Sequence, residues 1–381
     1  MKKSFSQIVR EAGEDLQRRL TSKVPEWASV PGLRLPARLS VEQCSSSATA
    51  RCKAALAGTL TGPGGRIADL TGGLGVDCWA FSAVAREVLY NEADPVLCET
   101  VRHNFGLLGL DNVVWRCADI RPGNVRSVLD GFAPDLIYLD PARRSAVGRK
   151  VFLLEDCSPD LAALQDELTS LCPHVLAKVS PMADITLLRR RLDSLKAVHI
   201  LSVGGECKEL LLQLEASGDR EFTLTVNELE EGKIQTLPFC EEDLRETCPG
   251  VGGQAEMAGA WLFEPGAALG KSGCHAAACG RAGLRKLAPS THLYLADAPV
   301  PSLAPFGRFR PILEVLPLDK RTMAEAGRRY PQADVTARNI PLSSEELARR
   351  LGVRSGGGIH IYGTALDSRR VLIITGFRVK A

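Results

Sequence analysis

Five carboxylates, Asp69, Asp77, Glu92, Asp119 and Asp140, stand at or just beyond the ends of short apolar runs, where they could meet a ligand. The first two bracket the turn Asp69-Leu70-Thr71-Gly72-Gly73-Leu74-Gly75-Val76-Asp77. Three glycines in four positions remove the side chains that keep a ligand off the backbone, and a helix starting near Asp77 adds unpaired N–H groups. A turn built for pyrophosphate has no use for two carboxylates, whereas one built for a cationic, amino-acid-bearing ligand does. The order Gly72-Gly73-x-Gly75 followed by Asp77 also departs from the G-x-G-x-x-G fingerprint of nicotinamide dinucleotide sites.

Glu92 lies at the separation expected of a carboxylate accepting both hydroxyls of a ribose. Asp119 is placed to accept a hydrogen bond from an adenine amino group, with Ile120 packing on the ring. Singly, each acid also reads as a solvated turn residue or helix cap. In succession they point to an adenosine cofactor carrying positive charge, S-adenosylmethionine, held by Asp69, Thr71, Gly72, Gly73, Gly75, Asp77, Glu92, Asp119, Ile120 and Asp140. Methyl transfer from sulfur is an in-line displacement, so a protein supplies alignment, desolvation and a proton acceptor. Asp140 suits the last role, Pro141 stiffens its turn, and Arg143 and Arg144 suit a nearby phosphate. Without that context the same string is a strand-ending turn with surface arginines. Lys178 and Asp184 reach the substrate or belong to a plain loop. Glu42 to Ala50 is a helix start capped by serine or a lid over the cofactor.

Such residues need a scaffold that brings strand ends together. From about 65 to 215, apolar runs at Ile67 to Leu70, Glu87 to Asn91, Val113 to Arg116, Leu136 to Leu139, His174 to Val179 and Leu210 to Leu214 read as strands, with helices at Val96 to Leu108 and Leu161 to Ser170. This alternation predicts a parallel α/β sheet of Rossmann-like type with helices on both faces, its ligands beyond the carboxyl ends of the strands. The predicted division is a helical N-terminal extension (1–60), a cofactor-binding domain (61–220), a linking α+β segment (221–307) and a small α+β domain (308–381). The last reads strand, helix, strand, helix, strand, strand, which is a ferredoxin-like plan.

The chain has 381 residues, 45% of them apolar and 24% charged, and a net charge of +2. No run reaches the roughly 18 to 20 apolar residues of a membrane span, and no leader is recognisable, so a cytoplasmic protein is expected. Net charge implies no general affinity for polyanions, but from Arg308 onward fourteen Lys/Arg face seven Asp/Glu. Twelve cysteines without a C-x-x-C pair read as reduced thiols. Cys274, His275 and Cys279, even with Cys240 and Cys248, lack zinc-site spacing, so no metal is expected.

These strings resemble the class I S-adenosylmethionine-dependent methyltransferases, through Asp69 to Asp77, Asn91-Glu92, Ala118-Asp119 and Asp140-Pro141-Ala142-Arg143. More narrowly the chain is similar to the bacterial branch with a ferredoxin-like segment and a C-terminal THUMP-like domain, through Glu42-Gln43-Cys44-Ser45-Ser46, Arg102-His103-Asn104-Phe105, Lys178-Val179-Ser180-Pro181, Gly205-Glu206-Cys207-Lys208-Glu209-Leu210, Phe263-Glu264-Pro265 and Arg338-Asn339-Ile340-Pro341-Leu342. The resemblance implies cofactor contacts at Gly72, Gly73, Gly75, Glu92 and Asp119, a target-side role for Asp140, and tRNA or rRNA as substrate, since THUMP domains accompany tRNA-modifying enzymes. The Asp-Pro-Ala-Arg string is similar to the Asp-Pro-Pro-Arg turn of RNA uracil-5-methyltransferases, whose later nucleophilic cysteine has no equivalent here. A base nitrogen or ribose hydroxyl is therefore the expected acceptor. A small-molecule or protein methyltransferase and a non-catalytic RNA-binding module remain the alternatives. Oligomeric state is not encoded legibly.

Overall fold

Every apolar run singled out between 67 and 214 becomes a strand in the computed structural model, which describes residues 5–35, 38–143, 154, 157–216, 221–230, 232–250, 257, 259–366 and 369–376. The chain divides into two compact units, 1–238 and 239–381.

The first unit opens with helices α1 (Phe5–Lys23), α2 (Pro25–Ala28), α3 (Arg38–Gln43) and α4 (Ser47–Thr61). Ser46 caps α4, its side chain accepting the Thr49 N–H at 3.3 Å. There follow β1 (Arg66–Asp69), α5 (Val76–Ser82), β2 (Glu87–Asn91), α6 (Pro95–Leu107), β3 (Val113–Arg116), α7 (Val125–Leu129) and β4 (Leu136–Leu139). A two-residue pair, β5 (Ala142–Arg143) and β6 (Cys157–Ser158), precedes α8 (Leu161–Leu171), β7 (His174–Val179), α9 (Ile185–Arg191), β8 (Leu195–Val203), β9 (Glu206–Leu214), β10 (Thr223–Glu230) and β11 (Lys233–Cys240). Nine strands form one sheet in the order β11-β10-β8-β9-β7-β4-β1-β2-β3.

From β3 to β7 the strands are parallel, as the alternation predicts. Beyond them the sheet departs from the parallel expectation, because β9 runs antiparallel to both β7 and β8. The cause is local: Gly204 and Gly205, at φ of 60° and 78°, form a two-residue turn whose twist matches a hairpin. A second departure concerns the segment from 221. The predicted start of a separate region there gives way to β10, which pairs in parallel with β8, and β11 beside it, so both extend the first sheet. Leu224, Val226 and Leu229 are buried, and β10 covers an edge of β8 that would otherwise be unpaired.

The N-terminal helices complete this unit's core. Leu20, Val24, Trp27, Val41 and Ala57 share one apolar cluster with Ile67, Phe81, Val88, Tyr90 and Phe105. Trp27 meets Trp79 and Phe105 edge-on, with ring centroids 5.9 and 6.4 Å away.

The second unit carries β12 (Trp261–Pro265), α10 (Ala267–Ser272), α11 (His275–Arg281), β13 (Arg285–Ala288), β14 (Thr291–Ala296), β15 (Gly307–Pro317), α12 (Lys320–Arg329), β16 (Asp334–Arg338), α13 (Ser344–Leu351), β17 (Ile359–Leu366) and β18 (Arg369–Gly376). The elements from β15 on follow the predicted order. All seven strands join one sheet, β13-β14-β12-β15-β18-β17-β16. β15 pairs with β12 along Gly307 to Pro311 and with β18 along Ile312 to Pro317, so one sheet spans the boundary expected at 307. No helix among the described residues is long and apolar enough to cross a membrane.

Candidate active site

The loops after β1, β2 and β3 are tied together by a buried asparagine. The Asn91 side-chain amide donates to the carbonyls of Leu70 and Ala118, both at 2.9 Å, and its oxygen accepts the Ala118 N–H at 3.1 Å. The Gly72 N–H donates to the Asn91 carbonyl at 2.7 Å. Tyr90 lies beneath the turn and donates its hydroxyl to the Gly73 carbonyl at 2.7 Å. A Cβ on Gly72 would come within 2.1 Å of the Tyr90 ring, so only glycine fits there. Gly75 sits at φ 85° and starts α5, while Gly73 is at φ 54° and a Cβ there would meet only the Thr71 carbonyl, 3.9 Å away.

Around this cradle the acids have distinct settings. Glu92 accepts the Gly73 N–H at 2.9 Å on one oxygen and the Asp94 N–H at 3.0 Å on the other, which leaves a lone pair on each for hydroxyl donors. Asp119 is exposed and pairs through one oxygen with Arg121 at 2.8 Å, beside the buried Ile120. Asp69 is buried and accepts the Thr71 N–H at 3.2 Å through Oδ1, whereas its Oδ2 has no hydrogen-bond partner. Burial, and after it the nearby charge of Asp77, pushes the Asp69 carboxyl well above the usual carboxylate range. An orphaned buried oxygen with raised proton affinity, next to an open glycine turn, fits a cationic ligand that donates hydrogen bonds.

Asp77 is used differently from its expected place around the ligand. Its Oδ1 pairs with the ammonium of Lys53 at 2.9 Å, and its Oδ2 accepts from the hydroxyls of Ser45 and Tyr138, each at 2.9 Å. Lys53 projects from α4, is wholly buried, and also meets Glu209 of β9 at 3.2 Å and Ser45 Oγ at 2.7 Å. Burial by itself would lower its proton affinity, yet Asp77 and Glu209 outweigh that and raise it. The row continues to Lys178, whose ammonium lies 3.9 Å from Glu209 and 2.5 Å from Asp140 Oδ2. Desolvation again opposes the charge on Lys178, and Asp140 followed by Glu209 overcomes it, raising that group too. The Asp140 N–H donates to Thr71 Oγ1 at 2.6 Å, fixing the end of β4 against the glycine turn.

Three carboxylates and two ammonium groups give this row a formal charge of −1, which favours a sulfonium nearby. Its accessible end is Asp140 and Lys178, their side chains 30% and 16% exposed, while Lys53 is 0% exposed. Lys53, Ser45, Tyr138 and Glu209 were not singled out as site residues from sequence. The signals in the sequence that could mark them are a lysine between the apolar residues Cys52 and Ala54, and the Glu42 to Ser46 and Gly205 to Leu210 strings that hold Ser45 and Glu209. Pro141 follows in place, and Arg143 contributes its backbone to β5 opposite Cys157. The side chain of Arg143 and all of Arg144 lie outside the described residues.

Elsewhere, the Asp184 side chain caps α9 by accepting the Leu187 N–H at 3.0 Å. In the second unit His275 bonds the Tyr294 hydroxyl through Nδ1 at 2.7 Å, and Cys274 and Cys279 are buried. No cluster of metal-ligand type occurs among the described residues.

A parallel run of strands continued by an antiparallel hairpin, a glycine turn after the first strand and acids after the next three define a class: the S-adenosylmethionine-dependent methyltransferases. Comparison with known proteins agrees. A ferredoxin-like domain family matches residues 261–303 and a THUMP domain-like family matches residues 307–376. Two uncharacterized S-adenosylmethionine-dependent methyltransferases of Mycobacterium tuberculosis, from strains CDC 1551 and H37Rv, are each 25% identical to this chain over 370 residues, covering 95% of it and 94% of themselves. A crystal structure from Porphyromonas gingivalis W83, designated a methyltransferase, matches at 31% identity and a TM-score of 0.83, over 96% of this chain and 88% of that one. The chain belongs to this family of S-adenosylmethionine-dependent methyltransferases with ferredoxin-like and THUMP-like domains.

Proposed function

We propose that this enzyme methylates RNA, tRNA or rRNA, in the cytoplasm. The observation that carries the reading is the coincidence of the THUMP-like match with exposed Lys and Arg side chains over the same residues, of which Arg329 and Arg350 also pair with Glu314 and Glu346. Lys320, Arg321, Arg328 and Arg329 on α12, Arg349 and Arg350 on α13, and Arg308, Arg354, Arg369 and Arg370 are all exposed. A cleft of about 390 Å³ is lined by three of them, Lys320, Arg350 and Arg370, together with Leu318, Asp319, Met323 and Pro341. Cations of this density suit the phosphates of a nucleic-acid backbone.

When bound, S-adenosylmethionine supplies a methyl group activated on a cationic sulfur. Glu92 accepts the ribose hydroxyls, Asp119 the adenine amino group, and Ile120 packs on the ring. Asp69 Oδ2 accepts a donor from the amino-acid end, with Thr71, Gly72, Gly73 and Gly75 forming the backbone cradle. Asp77 acts through Lys53, as its hydrogen bonds favour. Asp140 and Lys178 face the acceptor, Pro141 holds their turn, and Arg143 serves a substrate phosphate.

The test incubates the full chain with methyl-labelled cofactor and total RNA from cells lacking the gene, then maps the label by nuclease digestion and mass spectrometry. Label at one nucleotide is expected. Label absent from RNA but present in protein or small molecules would replace this reading with the corresponding alternative. Binding offers an independent check, since affinity for RNA should fall steeply with added salt and affinity for a small apolar substrate should not.

A further inference from the structure

We infer that the atom methylated is a hydroxyl oxygen, in RNA the ribose 2′-hydroxyl, held by the Lys178 ammonium and relieved of its proton by Asp140. The inference rests on the RNA reading above and narrows its acceptor.

It follows from counting lone pairs at the accessible end of the row. Lys178 is pinned between Asp140 at 2.5 Å and Glu209 at 3.9 Å, so an acceptor beside Asp140 also meets an ammonium, which only donates hydrogen bonds. A hydroxyl oxygen has two lone pairs: it can accept from Lys178 with one and attack the methyl with the other. A ring nitrogen has a single in-plane lone pair, which the ammonium would occupy. An exocyclic amine offers two N–H donors and only a delocalised lone pair, so Asp140 can accept one N–H but the Lys178 ammonium is left with nothing to donate to.

The buried half of the row explains how an ammonium stays beside a sulfonium. Lys53, behind Glu209, pairs with both Asp77 and Glu209 and fixes their orientation, Ser45 and Tyr138 completing the hydrogen bonds of Asp77, and the row keeps one negative charge in excess to offset the sulfonium. Glu209 and Lys53 are therefore positioning residues, while Lys178 and Asp140 touch the substrate. In the step itself the O–CH3 bond forms as the S–CH3 bond breaks, and the sulfur keeps the electron pair of the broken bond and becomes a neutral thioether. The hydroxyl proton passes to Asp140 and then to solvent, so charge and atoms balance without a further reactant. The 2′-hydroxyl is the RNA group able both to donate and to accept in this way along the chain.

The closing experiment splits the labelled RNA described above. One half is hydrolysed in alkali, where a methylated 2′-oxygen protects the adjacent phosphodiester, and the other is digested to nucleosides. The expected result is label in alkali-resistant dinucleotides and in ribose-methylated nucleosides. Label in base-methylated nucleosides would overturn the hydroxyl inference and leave RNA methylation standing; no label in RNA would overturn both. In parallel, Lys178→Met, assayed below its melting temperature, should lower the single-turnover rate by about 100-fold or more while cofactor affinity stays close to normal. Glu209→Gln should lower kcat without raising KM for the cofactor. Undiminished kcat in Lys178→Met would contradict the assignment.

Discussion

Replacing Lys53 with methionine isolates the buried charge row, because methionine approximates the unbranched stem of lysine and removes the ammonium. In the wild type that ammonium lies 2.9 Å from Asp77 and 3.2 Å from Glu209, with none of the side chain exposed. Removing one partner of a buried ion pair costs about 3–5 kcal/mol, since the remaining charge is stranded in a poorly polarisable interior. For a unit of this size each kcal/mol is worth about 2–4 °C, so the melting temperature should fall by roughly 6–20 °C. The pH dependence gives a sharper signature. Burial alone would raise the Asp77 carboxyl, but Lys53 first and Lys178 second hold it below its ordinary value. Its contribution is therefore present above the unfolded carboxylate range and is lost as pH falls through the depressed value. In Lys53→Met burial dominates, the carboxyl rises instead, and stability is regained as pH falls through that raised value. Urea denaturation followed by circular dichroism should show a gap between the two proteins that is wide at pH 8 and narrower at pH 5. A gap below about 1 kcal/mol at pH 8, or one that does not narrow, would refute a charged, stabilising Lys53.

Other substitutions probe the cofactor cradle. Asp69→Asn should melt at an equal or higher temperature at pH 8, because a carboxyl raised by burial loses stability as pH rises through its folded value, while calorimetry should show weakened cofactor binding. Glu92→Ala should weaken the cofactor about tenfold or more through two lost hydrogen bonds, and unchanged affinity in the same titration would remove it from the ribose site. Gly72→Ala forces a Cβ to within 2.1 Å of the Tyr90 ring, so it should cost about 1–3 kcal/mol in denaturant titrations and weaken cofactor binding in parallel.

The sequence made the central strands legible because each is a short apolar run bounded by turn residues, and the glycine turn because close backbone approach demands glycine. It was less clear about the sheet beyond β7. Leu195 to Val203 contains Lys196 and His199, which blur the apolar pattern, and only the Gly204-Gly205 turn marks the hairpin. The same limit applied to β10 and β11, whose membership of the first sheet depends on long-range pairing rather than local pattern. Within the site, strand-end acids are visible by position, but Lys53 and Glu209 are 156 residues apart and meet only when α4 packs against the folded sheet. Asp77 illustrates the consequence: its spacing suggests a ligand, and its partner lies in a helix that precedes the turn by some twenty residues in sequence.

The most direct test of the account compares wild type with Asp140→Ala in a single-turnover transfer of labelled methyl to RNA, with cofactor affinity measured on the same preparations. The account predicts labelled RNA from the wild type, a rate at least about 100-fold lower in the variant, and cofactor affinity within about threefold of normal. An undiminished rate in Asp140→Ala would contradict it.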